Sequence, residues 1–346
     1  MPEMIQIRRR RFTATLGALI ASAALVGAVS ASSPAQAADA VTLKFSAVFP
    51  AGGQQGDGAV QLGKYLEEYS DGKIAFQLFP SSQLGNKIQS LEGLRNGSIE
   101  MTEAAATDLG NFSDLWSIFA LPFLFNDGAD AIRVVTDPRV AKILNEDAEA
   151  NGFKIIAWWN MGERSIINSK RAVNSPEDLS GIKIRVMQSP MLAKAITAMG
   201  ATGVPMAWGE VYTAVQQGVI DGLENSPPVI AVNKFYEVAD YYSLTQQFII
   251  PDPQMISTKV FDSLSPELQD AVMKAGEASQ KDFNAKWEKA VASDIQLLKD
   301  KGVKVNEVDK AAFRKAVQPL VDDYLASADE KTKALYDTIV TVRDGG

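Results

Sequence analysis

Apolar and polar residues alternate along Val41-Thr42-Leu43-Lys44-Phe45-Ser46, the period-two signature of a strand with one buried face. From Gly58 to Tyr69 the pattern changes to helical spacing, with Val60, Leu62, Tyr65 and Leu66 near one side. Asp71-Gly72 reads as a turn, and Lys73–Phe79 as a second strand stopped by Pro80. Ile88–Arg95 reads as a helix closed by Asn96-Gly97, a left-handed cap signal. Glu100–Ala105 follows as a short third strand. Strand–helix–strand alternation at this spacing predicts βαβ units in a mostly parallel sheet.

The pattern restarts in mid-chain. Lys154–Trp159 reads as a strand. Ser175-Pro176-Glu177-Asp178 carries a capping Ser, Pro at the first helical position and acids in the first turn, and Gly181 ends that turn. Ile182–Val186 is a strand, Met191–Met199 and Trp208–Gln217 are helices, and Asp221–Asn225 leads into another strand. Tyr241–Thr245 and Met255–Thr258 look like further strands. The two α/β halves share no sequence repeat. Ser265-Pro266-Glu267 then opens a helix running to about Lys301, roughly 50 Å at 1.5 Å per residue. A helix that long exceeds the needs of one small domain, so it is expected to span both halves.

Composition narrows the chemistry. Among the 346 residues there is no Cys and no His. Thiolate nucleophiles, disulfides and Cys-ligated metals are excluded, as are the Ser-His-Asp triad and imidazole metal sites. The net charge of −8 argues against nucleic acid as a partner. No cofactor or metal is expected, and no Asp-x-Asp-x-Asp-Gly calcium loop is present. The N-terminus carries Arg8-Arg9-Arg10-Arg11, an apolar stretch from Phe12 to about Val29, and Ser32-Ser33-Pro34-Ala35-Gln36-Ala37-Ala38. That is the pattern of a secretory signal peptide cleaved after Ala37. Removing residues 1–37, with four Arg and one Glu, takes the net charge from −8 to −11. No other apolar run approaches membrane-spanning length, so the expected mature protein is a monomer in the bacterial periplasm, without membrane insertion.

Four features are candidates for chemistry. Arg164 and Arg185 lie at or on strands of the second half, and two guanidinium forks at one sheet end can converge on an anion; both are equally readable as exposed strand residues. Asn225 ends the Asp221-Gly222-Leu223-Glu224-Asn225 run before Ser226-Pro227-Pro228 and can donate to a ligand or satisfy a turn. Glu103 is an acid in an otherwise apolar-to-small strand, facing a ligand or solvent. Trp208, unlike the core aromatics Trp116, Trp158 and Trp159, sits in a loop before a helix. An acid pair for glycoside hydrolysis, Glu103 with Asp108 or Glu224, is the enzyme alternative; a scaffold built on the long helix is another.

Taken in order, several short motifs point to one family. They are Ser81-Ser82-Gln83-Leu84-Gly85, Asn96-Gly97-Ser98-Ile99, Leu121-Pro122-Phe123-Leu124-Phe125, Gly162-x-Arg164 and Pro176-x-Asp178-Leu179-x-Gly181-x-Lys183-x-Arg185-Val186. Pro205-x-Ala207-x-x-Glu210-Val211-Tyr212-x-Ala214-x-Gln216, Asp221-Gly222-x-Glu224-Asn225 and Tyr241-x-Ser243-Leu244-Thr245 follow. This ordered set resembles the DctP-type solute-binding proteins of tripartite ATP-independent periplasmic (TRAP) transporters.

The resemblance implies a two-lobe α/β fold with crossing strands and a long lobe-spanning helix. It places a signal peptide at 1–37, lobe I at 38–161 plus 250–289, and lobe II at 162–249 plus 290–346. It implies a receptor, not an enzyme, that closes on a small organic acid and passes it to TRAP permease subunits. Arg185 becomes the principal carboxylate clamp, with Arg164 and Asn225 beside it and Trp208 as an aromatic wall. Glu103, Asn86 and Lys87 fall where first-lobe residues select the rest of the solute. Gln246 or Gln247 stands where many relatives carry an Asn-His pair. Glu103 favours a ligand with hydroxyls, hence a sugar acid such as a uronate or aldonate. C4-dicarboxylates, sialic acid and other polar carboxylates are the alternatives, as is a same-fold receptor feeding a sensor kinase. A dicarboxylate needs a second cation, and Lys87 is the obvious one.

Overall fold

The computed structural model describes residues 40–346; the expected signal peptide lies outside them. In chain order the elements are β1 (Val41–Ser46), α1 (Gly53–Tyr69), β2 (Ile74–Phe79), α2 (Lys87–Asn96), β3 (Met101–Glu103), α3 (Gly128–Thr136), α4 (Pro138–Ala150), β4 (Phe153–Trp159) and β5 (Glu163–Asn168). Then come β6 (Lys183–Val186), α5 (Pro190–Ala198), β7 (Thr202–Pro205), α6 (Val211–Gln216), β8 (Gly222–Asn225), α7 (Pro227–Val232), β9 (Tyr241–Ile249) and β10 (Asp252–Ser257). The chain ends with α8 (Thr258–Ser263), α9 (Pro266–Asp300), β11 (Lys304–Asn306), α10 (Lys310–Ser327) and α11 (Glu330–Arg343). No helix among the described residues is long and apolar enough to cross a membrane.

The strands form two sheets, in the orders β2-β1-β3-β10-β4 and β11-β9-β5-β8-β6-β7. Parallel pairing holds within the βαβ segments, β1 with β2 and β3, and β6 with β7 and β8. The expectation of a mostly parallel sheet fails at the crossovers. β10 runs antiparallel to β3 and β4, and β5 runs antiparallel to β8 and β9. The reason is connectivity: the chain passes from sheet to sheet along β4–β5 and returns along β9–β10 through short links, and such links enter each sheet without the helical crossover that parallel neighbours need.

Several boundaries follow local chemistry. α2 is capped by Asn86, whose side chain accepts from Gln89 N while the Gln89 side chain accepts from Asn86 N, and it ends at Gly97 with φ +85°. α9 begins with Ser265 as its cap and Pro266 at its first position, and runs 35 residues. It packs on α1 and β4 of the first lobe and on α7 and β11 of the second, so it ties the two lobes together. Gly276 lets α9 lie against β4, since a Cβ there would run into the Ile156 carbonyl. α10 packs on α5 and β9 of the second lobe, whereas α11 packs back on α3 and α4 of the first. Arg133 Nη1 donates to Val342 O at 2.9 Å, and Arg343 Nη1 donates to Leu124 O at 3.0 Å.

Candidate ligand-binding site

A cleft of about 700 Å³, counting its solvent mouth, opens where the two sheets face each other. Lys87, Glu103, Asp108 and Asp252 contribute from the first sheet and its flanking turns; Arg164, Arg185, Trp208 and Asn225 come from the second. Phe49, Met161 and Val229 add apolar wall.

Arg185 sits on β6, an interior strand of the second sheet, flanked by fully buried Ile184 and Val186. It is itself only 3% exposed, so it is not a solvent-facing strand residue. Its Nε and Nη2 both donate to Met206 O, at 2.9 and 2.7 Å, and its guanidinium lies 5.4 Å from the Trp208 ring. No carboxylate among the described residues pairs with it within 4.0 Å. Burial, with the neighbouring Arg164 adding to it, draws its pKa down to about 10 despite Glu224 and Asp108. Trp208 is held edge-on against Phe235, with ring centroids 5.6 Å apart.

Arg164 on β5 is buried as well, but it is compensated. Its Nε donates to Glu224 Oε2 at 2.6 Å, and its Nη2 donates to Glu224 Oε1 and to Glu224 O, each at 3.1 Å. β5 and β8 are antiparallel neighbours, with Ser165 opposite Asn225 and Ile166 opposite Glu224, which brings the two side chains together. Burial pulls the Arg164 pKa down, but the fully buried Glu224 carboxylate outweighs it and the net shift is upward. Asn225 follows on β8: its Oδ1 accepts from Ser226 N and its carbonyl accepts from Tyr242 OH, which leaves Nδ2 as a free donor at the cleft.

On the opposite wall Lys87 Nζ donates to Glu103 O at 2.8 Å and to the Glu103 carboxylate. Two further carboxyl groups stand there without a cation. Asp108, in the 3-10 turn Ala106–Asn111, accepts from Ala105 N through Oδ2. Burial pushes it up to about 6; Lys87 opposes that shift and Glu103 adds to it. Asp252 opens β10, has no side-chain hydrogen bond to the described protein, and is held well above the carboxylate range by burial and by Glu103. Sequence reasoning considered Asp108 only as half of an acid pair and missed Asp252. Its one local signal is Pro251-Asp252-Pro253, two prolines fixing the chain at the point of return to the first sheet.

Six of the sequence candidates therefore converge: Arg185, Arg164, Asn225, Trp208, Glu103 and Lys87. Asn86 and Gln246 do not line the cleft. The Asn86 side chain is engaged as the α2 cap, accepting from Gln89 N at 3.0 Å. Gln246 has φ +47° and its side-chain oxygen accepts from Lys310 Nζ. β9 slips register there, its Ser243–Phe248 stretch facing only Arg164–Ile166 of β5, and the extra residues carry Gln246 toward α10. Gln247 is fully buried, its side-chain oxygen accepting from the Thr245 hydroxyl.

Two α/β lobes joined by crossing strands and one long helix, with a cation-bearing cleft between them, define a two-lobe solute-binding receptor. Residues 45–328 match the model of the bacterial extracellular solute-binding protein family 7, DctP, and the chain belongs to that family. The 2,3-diketo-L-gulonate-binding periplasmic protein YiaO of Escherichia coli is 35% identical over 75% of this chain and 79% of its own. The TRAP periplasmic solute-binding protein of Chromohalobacter salexigens, solved with bound D-glucuronate, is 29% identical with a TM-score of 0.83, covering 86% of this chain and 99% of its own. The sugar-acid-binding protein DctPAm of Advenella mimigardefordensis, solved with galactonate, is 28% identical with a TM-score of 0.83, covering 88% and 99%.

Proposed function

We propose that this protein is the exported receptor of a TRAP transporter that captures one sugar acid, a uronate or aldonate, and delivers it to the permease. The observation that carries this reading is the asymmetry of charge across the cleft. On one wall Arg185 is buried and unmatched by any carboxylate among the described residues. A ligand carboxylate is the natural partner for its fork, and such a pair is stable only once both charges are matched. On the other wall Lys87, the one cation there among the described residues, is already neutralised by Glu103, and Asp108 and Asp252 add carboxyl groups that can pair with hydroxyls. A second ligand carboxylate would find no uncommitted cation on that wall among the described residues, whereas sugar hydroxyls would be held. This favours a sugar acid over a C4-dicarboxylate, and the uronate- and aldonate-binding relatives support the same choice.

Capture follows the logic of a hinge. The ligand bridges Arg185 and Asn225 on one lobe to the acids of the other, and so favours the closed arrangement by its differential affinity. We place the lobe boundaries at 38–161 plus 250–289 and at 162–249 plus 290–346, except that α11 belongs with the first lobe on which it packs. Export through a cleaved leader at 1–37 and a monomeric state complete the reading. The glycosidase alternative fares poorly, because Glu103, common to both of its acid pairs, is tied to Lys87, and Glu224 is tied to Arg164. Thermal shift against D-glucuronate, D-galacturonate, D-galactonate, succinate and N-acetylneuraminate tests the proposal. A sugar acid at 100-fold its Kd should stabilise by about 2.7 kcal/mol. A shift with succinate and none with the sugar acids contradicts it.

A further inference from the structure

Two ion pairs in the cleft, Arg164–Glu224 and Lys87–Glu103, close on themselves. What remains is Arg185 on one wall and Asp108 and Asp252 on the other, all three buried. Once a ligand carboxylate seats on Arg185, the last unmatched positive charge is gone and two unpaired acids remain in a space from which the ligand has displaced water. Buried carboxylates in that position neutralise by taking up protons. We propose that Asp108 and Asp252 are the specificity-determining groups for ligand hydroxyls, and that capture carries a proton into the cleft onto Asp108, so that both acids meet the hydroxyls as hydrogen-bond donors. This rests on the sugar-acid reading.

The surroundings of the two groups account for the coupling. The charged side chains facing them are Lys87 from α2, Glu103 from β3, Arg164 from β5 and Arg185 from β6, with Glu224 of β8 behind Arg164. Lys87 and Arg164 are committed to Glu103 and Glu224. Lys87 is the main charge that favours ionised Asp108 in the free protein; Arg185 adds to it, and the ligand carboxylate cancels the Arg185 part. With Asp108 at about 6 before binding, most molecules at pH 7 have its proton still to acquire. The geometry also explains why three acids line one wall of a receptor for anions. Protonated, Asp108 and Asp252 add donors beside the acceptor Glu103, and a sugar hydroxyl can satisfy both kinds. A solute lacking hydroxyls leaves these groups unpaired on closure and is rejected.

Calorimetry of D-glucuronate binding at pH 7, in phosphate and in Tris, reads proton uptake directly. The ligand is ionised throughout this range, so uptake reports the protein. The expected result is an observed enthalpy that depends on buffer ionisation with a slope of about one proton taken up, and a Kd that weakens roughly five- to tenfold from pH 7 to pH 8. In the Asp108→Asn, Asp252→Asn double variant the slope falls to zero and the Kd no longer changes with pH. Binding with no buffer dependence and a flat Kd overturns this inference and leaves the sugar-acid reading intact; so does undiminished uptake in the double variant. Absence of binding by D-glucuronate, D-galacturonate and D-galactonate alike overturns the sugar-acid reading itself, and this inference with it.

Discussion

Arg164 and Glu224 form a buried ion pair at 2.6 Å, on adjacent antiparallel strands, that removes one of the cleft's two arginines from the charge available to a ligand. Arg185, lying nearby with only the Met206 carbonyl and the Trp208 face as partners, is thereby the cation left unmatched. Removing either member of a buried pair leaves the other charge uncompensated. Glu224→Gln is therefore expected to destabilise the free protein by about 3–5 kcal/mol, read as a lower urea midpoint at unchanged slope. A midpoint equal to wild type would mean that Arg164 finds another partner.

Asp108 gives a pH prediction. Its folded pKa of about 6 lies above the ordinary 3.8, so the folded state binds the proton more tightly than the unfolded state. Stability of the free protein from this group is greatest at low pH and falls as pH rises from near 4 through about 6. Asp108→Asn removes that penalty and is expected to stabilise the free protein by about 1–3 kcal/mol at pH 8, and by less at pH 4.5. Urea titrations at the two pH values check the sign; an equal effect at both refutes it.

Gly276 predicts a packing effect remote from the cleft. Gly276→Ala forces α9 away from β4, because the new methyl meets the Ile156 carbonyl, a backbone atom that cannot swing aside. A loss of about 1–3 kcal/mol is expected in chemical denaturation. Wild-type stability would show that the helix can slide without loss.

Gln246 supplies a control. Its side chain turns to Lys310 and not to the cleft, so Gln246→Ala should leave sugar-acid affinity within about twofold. A large loss of affinity in calorimetry would put this residue back in the site.

Much of the fold is legible locally. β1 occupies the predicted residues, α2 ends at the Asn96-Gly97 signal, and α9 starts at the Ser265-Pro266 signal. The crossing strands are not. β9 extends to Ile249, well past the predicted Thr245, because its positive-φ residue Gln246 breaks the alternation that marks a strand. The site divides in the same way. Arg185, Arg164, Asn225 and Trp208 stand out as residue types at motif positions. The Arg164–Glu224 pairing depends on which strands become neighbours, and nothing local encodes it. Asp252 lies 144 residues after Asp108, and only the return of the chain to the first sheet brings both to one wall.

In the proposed site Arg185 holds the ligand carboxylate through its planar fork. Titration calorimetry of D-glucuronate into wild type and Arg185→Lys tests it most directly, since Lys keeps the charge and loses the fork. The variant is expected to fold stably and to bind about 30-fold or more weaker, the equivalent of about 2 kcal/mol. Undiminished affinity in Arg185→Lys would contradict it.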